Sequence, residues 1–307
     1  MYYIAFGFFY LFSLLPFRVL YWFSDCMAFL LYYVFHYRKD VVFSNLAAAF
    51  PEKTAAERKK IAKKFYRNFS DNWLETIKML SISEKNIGKR ITTDLDVLQE
   101  IYASGRCCDI LLGHQFNWEW CNACIPVRVP FRVLVAYSPI NNKIIDRLFL
   151  HLRQRFGCIL LPFNDMRRAM LPHRNSQYLL GLVADQNPAS PDKSYWINFL
   201  GMATPFLKGP EKGARIGNIP AAYMSFHKIK RGHYQLTASL LFKNPADTVE
   251  GELTRKYVSL LEENIRKYPE SYLWSHRRWK HLWKEEYKKL WIDLEPLPLV
   301  TDSSEVV

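Results

Sequence analysis

A histidine and a glutamate stand with four residues between them in segment 109–120, DILLGHQFNWEW. Three apolar residues run into Gly113, a pattern that predicts a buried strand delivering His114 to a loop at its end. On one regular helix, side chains at this spacing would lie roughly 140° apart around the axis. If His114 instead precedes the first helical turn, Glu119 can fold back to hold one ring nitrogen while the other accepts a proton.

The pair therefore indicates a general base, with a hydrogen-bonded structural histidine as the alternative. The stretch GHQFNWEW resembles the catalytic motif of the lysophospholipid acyltransferase superfamily, where HxxxxD or HxxxxE activates a hydroxyl for acyl transfer. It is most similar to the bacterial lipid A late acyltransferases, which use glutamate and carry Asn-Trp-Glu. Gln115 and Phe116 stand where that branch has Phe-Gly. The resemblance implies that His114 and Glu119 form the catalytic dyad and that Asn117 lies at the substrate site.

Strand-like and helix-like segments alternate through the part of the chain that must position this pair. Such alternation predicts an α/β fold with a largely parallel central sheet flanked by helices. In sheets of this kind ligands gather at the carboxyl ends of strands, where His114 and Asp185 both fall. The predicted strands are 109–113, 131–137, 157–161, 178–184, 219–226 and 234–241.

The N-terminus consists of two apolar runs, 1–17 and 19–35, and basic residues follow. Seventeen helical residues reach roughly 26 Å, short of a hydrocarbon core of ~30 Å, so we expect membrane attachment without an assured span. The following charges predict that the flanking segment is cytoplasmic. A helical hairpin buried in a soluble fold is the alternative. We expect a membrane-anchoring segment at 1–40, a catalytic domain at 41–294 and a disordered tail at 295–307.

An amphipathic helix is predicted to start after Thr54, because apolar residues recur every four positions from Ile61 to Trp73. The aromatic content of 16% suits an apolar ligand cleft or a membrane interface, and the net charge of +13 calls for a negatively charged partner. A membrane surface, an acidic carrier protein or a phosphorylated lipid would serve. Nucleic acid ranks last, since zinc-finger spacing, an RNP-like strand and a basic-region helix are all missing.

Several chemistries lack their motifs in this sequence. The pair Cys121 and Cys124 has no second pair to complete a zinc site, and no HExxH occurs, so no metal is expected. Without a GxSxG elbow a serine acyl-enzyme has little support. Without Walker A or Rossmann fingerprints no nucleotide cofactor is expected.

The resemblance, together with local charge and helix-start signals, gives roles to further residues. In NNKIIDRLFLHLRQRFG, Arg153 matches the active-site arginine, which would stabilise an oxyanion. In LVADQNPAS a strand ends at Asp185, which would pair with Arg153 or hold the acceptor. The predicted substrate-binding residues are Asn117, Arg155, Asp185, Gln186, Thr204, Gly209, Arg277 and Arg278.

The resemblance extends over nearly the whole chain and implies a membrane-associated O-acyltransferase at the cytoplasmic face of the bacterial inner membrane. The donor would be an acyl carrier protein thioester and the acceptor a hydroxyl of a lipid A precursor. Neither a cofactor nor a covalent intermediate is implied. Two alternatives stay open: acylation of another lipid, such as a lysophospholipid, an aminolipid or a glycolipid, and a catalytically silent lipid-binding membrane protein.

Overall fold

The protein is described by a computed structural model over residues 1–294, so the tail predicted at 295–307 lies outside the described residues. The helices are α1 (Tyr2–Leu14), α2 (Phe17–Phe29), α3 (Lys39–Ala49), α4 (Ala55–Lys78), α5 (Glu84–Gly88), α6 (Asp96–Ala103), α7 (Trp118–Cys124), α8 (Lys143–Gln154), α9 (Met166–Ala169), α10 (Gly209–Gly217) and α11 (Glu252–Lys267). The strands are β1 (Ile91–Asp94), β2 (Cys108–Leu112), β3 (Arg132–Tyr137), β4 (Ile159–Pro162), β5 (Tyr178–Val183), β6 (Tyr195–Phe199), β7 (Met202–Phe206), β8 (Ala221–Lys230) and β9 (His233–Phe242).

Seven of these strands form one sheet in the order β1-β9-β8-β2-β5-β3-β4. Every neighbouring pair is parallel except β8 and β9, which form an antiparallel hairpin. Helices flank the sheet, and two large apolar clusters fill the layers between them. The predicted α/β fold with a largely parallel sheet is confirmed, and each of the six predicted strands is present.

The sequence did not indicate β1, β6 or β7. The first has only four residues, two of them threonine, so its pattern carries almost no apolar signal. The other two form a separate antiparallel hairpin. Its turn is made by Leu200 and Gly201, which both have positive φ, and Leu200 is not a residue that marks such a turn in a sequence.

Helix α4 starts where the periodicity predicted. The side chain of Thr54 accepts from the Glu57 N–H, and the Glu57 carboxylate accepts from the Thr54 N–H, which forms a capping box. Ile61 and Phe65 are buried on its inner face, whereas Trp73 is 43% exposed. The apolar face of the helix is therefore buried at Ile61 and Phe65 and reaches the surface at Trp73.

The apolar N-terminus forms two helices rather than one. Within residues 1–294, no single helix combines the length and hydropathy of a membrane span; Tyr2–Leu14 and Phe17–Val34 meet that test only together, across a bend of 113°. A π-helical turn, Leu30–Val34, continues α2. The outer faces expose large apolar side chains, among them Phe8 at 64% and Trp22 at 62%. The pair is therefore buried on its inner face and exposed on its outer face.

Candidate active site

The adjacent strands β2 and β5 bring His114 and Asp185 together. Leu112 at the end of β2 pairs with Val183 at the end of β5. Each site residue follows its strand end by two positions, so the two residues meet although they are 71 apart in the sequence. The Asp185 carboxylate contacts the His114 Nδ1 at 2.5 Å and accepts the His114 backbone N–H at 2.8 Å.

This contact requires the glycine that precedes the histidine. A Cβ on Gly113 would lie 2.4 Å from a methyl carbon of Leu261 and 3.3 Å from an oxygen of Asp185. Any larger residue would therefore collide with α11 and crowd the carboxylate. The close approach of strand end and carboxylate explains why glycine stands at this position.

The surroundings of the His114 ring define one tautomer. Burial disfavours the ionised form of Asp185, but the contacts with His114 outweigh it, and the pKa of Asp185 is lowered. An ionised carboxylate can only accept, so Nδ1 carries the proton. On the other side, the amide nitrogen of Gln186 lies 2.9 Å from Nε2 and donates to its lone pair. The basic atom of this histidine is therefore Nε2.

Glu119 makes a different contact from the one predicted. In the described chain it has no hydrogen bond to His114; its carboxylate binds Arg153, accepting from Nε at 2.9 Å and from Nη2 at 2.6 Å. The indole N–H of Trp118 also donates to it, at 3.1 Å. Because α7 begins at Trp118, Glu119 sits in its first turn against α8, while Asp185 takes the place beside the ring. Asp185, and not Glu119 as predicted, is therefore the carboxylate that contacts the His114 ring.

Arg153 is thus an ion-paired residue. Burial disfavours its charge, but Glu119 outweighs that effect and raises the pKa of Arg153. Two of its nitrogens are occupied by the carboxylate; Nη1 has no hydrogen-bond partner within residues 1–294. The other expected partner, Asp185, contacts His114 and not this arginine.

Three predicted substrate-binding residues serve as structural connections. Asn117 caps α7 by accepting the Trp120 N–H, and its amide donates to Glu75 at 2.9 Å. Arg155 donates from Nη1 to the backbone oxygens of Met79 and Ile82. Thr204 is fully buried, donates to the Met202 oxygen and accepts from the Trp279 indole. We therefore assign these contacts to the scaffold.

The C-terminal arginines differ in position. Arg278 is buried and donates to the Asn187 side chain at 3.0 Å and to the Pro205 backbone oxygen at 3.0 Å. The central carbon of its guanidinium lies 4.4 Å from the centroid of the Phe206 ring. Arg277 is exposed, and its backbone oxygen accepts from Asn187. Together they fix the loop that contains Gln186. Gly209 begins α10, with open space around it.

Glu75 was not predicted from the sequence, and it is connected to the site through Asn117. It is buried in α4 and accepts from the Tyr21 hydroxyl at 2.8 Å, the Tyr234 hydroxyl at 2.5 Å and Asn117. Burial raises the pKa of Glu75. The available signal was Asp71 and Glu75, spaced by one helical turn and both buried in α4, where an amphipathic helix ordinarily places apolar residues.

The chain has relatives among known enzymes. The family model of "Bacterial lipid A biosynthesis acyltransferase" matches residues 1–281. The "Lipid A biosynthesis palmitoleoyltransferase" of Escherichia coli (strain K12) is 21% identical over 248 residues, which are 79% of this chain and 79% of that protein. The "Lipid A biosynthesis acyltransferase" of Shigella flexneri gives the same values. With a family match that includes segment 109–120 and Asp185, the chain belongs to the bacterial lipid A biosynthesis acyltransferases and is an acyltransferase.

Proposed function

We propose that this protein transfers a fatty acyl chain from an acyl carrier protein thioester to a hydroxyl of a lipid A precursor, with His114 as general base. One observation carries the proposal: Asp185 holds Nδ1, which leaves Nε2 as the basic atom of a side chain that is 17% exposed. This is the arrangement that removes a proton from a hydroxyl. Family membership supports both the reaction and the acceptor.

In this mechanism the acceptor hydroxyl displaces the Gln186 amide from Nε2. As its oxygen bonds to the thioester carbonyl carbon, its proton moves to Nε2, and Asp185 stabilises the imidazolium. The tetrahedral intermediate then collapses with cleavage of the carbon–sulfur bond. The leaving thiolate takes the proton from Nε2, so the histidine returns to its starting form. No acyl-enzyme is formed.

Glu119 and Arg153 act in this scheme as a preformed pair. Glu119 fixes the guanidinium through two nitrogens, so Arg153 can present Nη1 to the developing oxyanion with little reorganisation. Its side chain is 20% exposed, so the guanidinium is not fully covered by the protein. Loss of one such donor typically costs about 10²–10³ in rate.

An aromatic cluster borders these residues and offers an apolar surface for the acyl chain. Trp118 lies edge-on to His114, with ring centroids 5.6 Å apart. From Trp118 the contacts continue through Phe116 and Phe69 to Trp73, which stands against Phe149 at 6.1 Å. Since Trp73 is 43% exposed, this cluster reaches the surface and connects solvent with the catalytic base.

The exposed apolar faces of α1 and α2 support attachment to the bacterial inner membrane, with the catalytic domain on its cytoplasmic side. A bent pair of short helices, aromatic outside and packed against the protein inside, suits the interface of a bilayer. Membrane lipid would then be a partner, and the lipid acceptor would enter from the same side. The net charge of +13 suits an acidic carrier as donor.

The direct test is the purified protein in detergent with an acyl carrier protein thioester and a lipid A precursor. We expect release of carrier thiol with formation of one ester, and slower release from the matching coenzyme A thioester. Thiol release with another lipid as the acceptor would keep the chemistry and move the substrate. No thiol release with any acceptor would leave the protein as a lipid binder and end the proposal.

A further inference from the structure

A cavity of about 380 Å³ lies beside the bend between α1 and α2, away from His114. Its walls come from that bend, the C-terminal end of α4 with the following loop, α5 and the start of β9. The side chains that matter for its chemistry are Phe17, Lys78, Asn86, Lys89, Arg90 and His233.

Three cations line this cavity, and among the described residues that form its walls there is no carboxylate. Lys78 donates to the backbone oxygens of Ser13 and Leu15, at 2.7 and 3.0 Å, and Arg90 donates to the Gly232 oxygen at 3.2 Å. Neutral carbonyls position these cations without cancelling their charge. The basic residues of the adjacent hairpin differ, since Lys228 and Arg231 both pair with Asp71.

Burial and the nearby positive charge both lower the pKa values of groups inside the cavity. Burial lowers the pKa of Lys78, and the nearby Arg90 lowers it further. Burial also lowers the pKa of His233, again with Arg90 as the next cause. Cations that repel one another in a partly buried space gain most from an anion that contacts several of them at once.

The position of the cavity indicates that the bound anion can carry an apolar portion. Arg90 lies 3.8 Å over the ring of Phe17, so the bend of the helix pair is itself part of the wall. Leu14, Val19 and Trp22, on either side of that bend, are 53%, 39% and 62% exposed. A ligand with its anionic group in the cavity can therefore place an apolar portion along these side chains.

We propose that this cavity binds a phosphate oxyanion, supplied by the head group of a membrane lipid or by free inorganic phosphate. Lys89 and Arg90 would contact its oxygens, with Asn86 as a neutral donor. Within residues 1–294, none of the side chains that line this cavity is hydrogen-bonded to His114 or Asp185, so the proposed site is separate from the proposed base.

The test uses the full chain and two variants of one short segment, Lys89→Ala and Lys85→Ala. Lys85 is exposed on α5 but does not line the cavity, so it controls for general charge. Binding is measured on phosphatidylcholine vesicles containing phosphatidic acid, and on vesicles brought to the same surface potential with oleate. The ratio of the two affinities removes the diffuse attraction that basic residues feel towards any anionic surface.

We expect the unaltered protein to prefer phosphatidic acid over oleate, and Lys89→Ala to lower that ratio about tenfold while Lys85→Ala keeps it. The source is separated by phosphorus NMR: broadening of the inorganic phosphate line by the unaltered protein but not by Lys89→Ala, with no vesicle preference, would assign the site to free phosphate. Equal ratios in both variants, with no effect on the phosphate line, would overturn the proposal.

Discussion

The chemistry of His114 depends on which ring nitrogen carries the proton. Asp185 is buried and accepts both from Nδ1 and from the histidine's own backbone N–H, so ring and main chain are fixed by one carboxylate. Gln186, the next residue, contacts Nε2. One loop after β5 therefore sets the tautomer and also covers Nε2, from which the acceptor would displace the amide in the proposed mechanism.

Replacing Asp185 by asparagine tests this account of the tautomer. An amide can donate to Nδ1, which would move the ring proton to Nε2 and remove the base. We expect Asp185→Asn to lower kcat by ~10²–10⁴, as for loss of a general base. The rate of ester formation measures it. Asp192→Asn, in the exposed part of the same loop, should keep the normal rate, and a normal rate in Asp185→Asn would contradict the assigned role.

The sequence indicated His114 as the candidate base, but it did not indicate which residue contacts the ring. His114 was recognisable from its position after an apolar run, and Asp185 from its place at a strand end. Their contact depends on β2 and β5 being neighbours in the sheet, and spacing along the chain carries no information on strand order across 71 residues. Glu119 was the obvious local candidate because only local partners can be read from spacing.

Strand β2 is the central element of the site. All five of its residues are buried, and it pairs with β5 on one side and β8 on the other. Its apolar run made it predictable, as did those of the other main strands. The short β1 and the hairpin of β6 and β7 were not predictable, because their residues are too few or their turn too unusual to stand out from loops.

Asp109, in β2, is expected to make the free energy of unfolding depend on pH. Asp109 is buried, its Oδ1 has no hydrogen-bond partner in the described structure, and burial raises its pKa to about 7. The unfolded chain loses this proton near pH 4 and the folded protein only near pH 7. Between these values the folded state binds more protons, so stability falls as pH rises, by about 1.4 kcal/mol for each pKa unit.

We therefore expect Asp109→Asn to flatten this decline and to raise the midpoint of thermal unfolding at pH 8 relative to the unaltered protein. The measurement is the unfolding midpoint across pH 4 to 8, where the limits follow from the two pKa values. Asp165→Asn, at an exposed position, should keep the original slope. An unchanged slope in Asp109→Asn would show that the carboxyl is solvated or paired when ionised.

At the scale of the whole molecule, helix α8 connects the candidate active site with the apolar N-terminal helix pair. Helix α1 packs on α8, where Phe6 meets His151 with ring centroids 5.3 Å apart. The same α8 carries Arg153 and the Phe149 of the aromatic cluster. The N-terminal pair thus packs on the helix that carries Arg153, one of the residues proposed for catalysis. Composition predicted an apolar segment there, and Pro16 is a signal for a helix boundary. The angle of 113° between the two helices was not predictable, because it depends on packing against α4 and α8.

Membrane attachment through this pair predicts that one charge on its outer face weakens binding to vesicles. We expect Trp22→Glu to reduce the bound fraction several-fold, because an exposed aromatic anchor is lost and a carboxylate would enter the interface. Flotation with vesicles measures it. Leu282→Glu changes a comparably exposed residue, 64% against 62%, outside the pair and should bind normally. Equal binding by all three proteins would place the membrane contact elsewhere.

The central claim is best tested by mass spectrometry of lipids from a bacterial strain deficient in lipid A acylation. Lipids are compared with and without this protein, its His114→Ala variant and the control Asp192→Asn. The account predicts a lipid A species heavier by one acyl chain with the unaltered protein and the control, and none with His114→Ala. The same heavier species formed by His114→Ala would contradict the general-base mechanism; no new acylated lipid with the unaltered protein would contradict the acyl-transfer function itself.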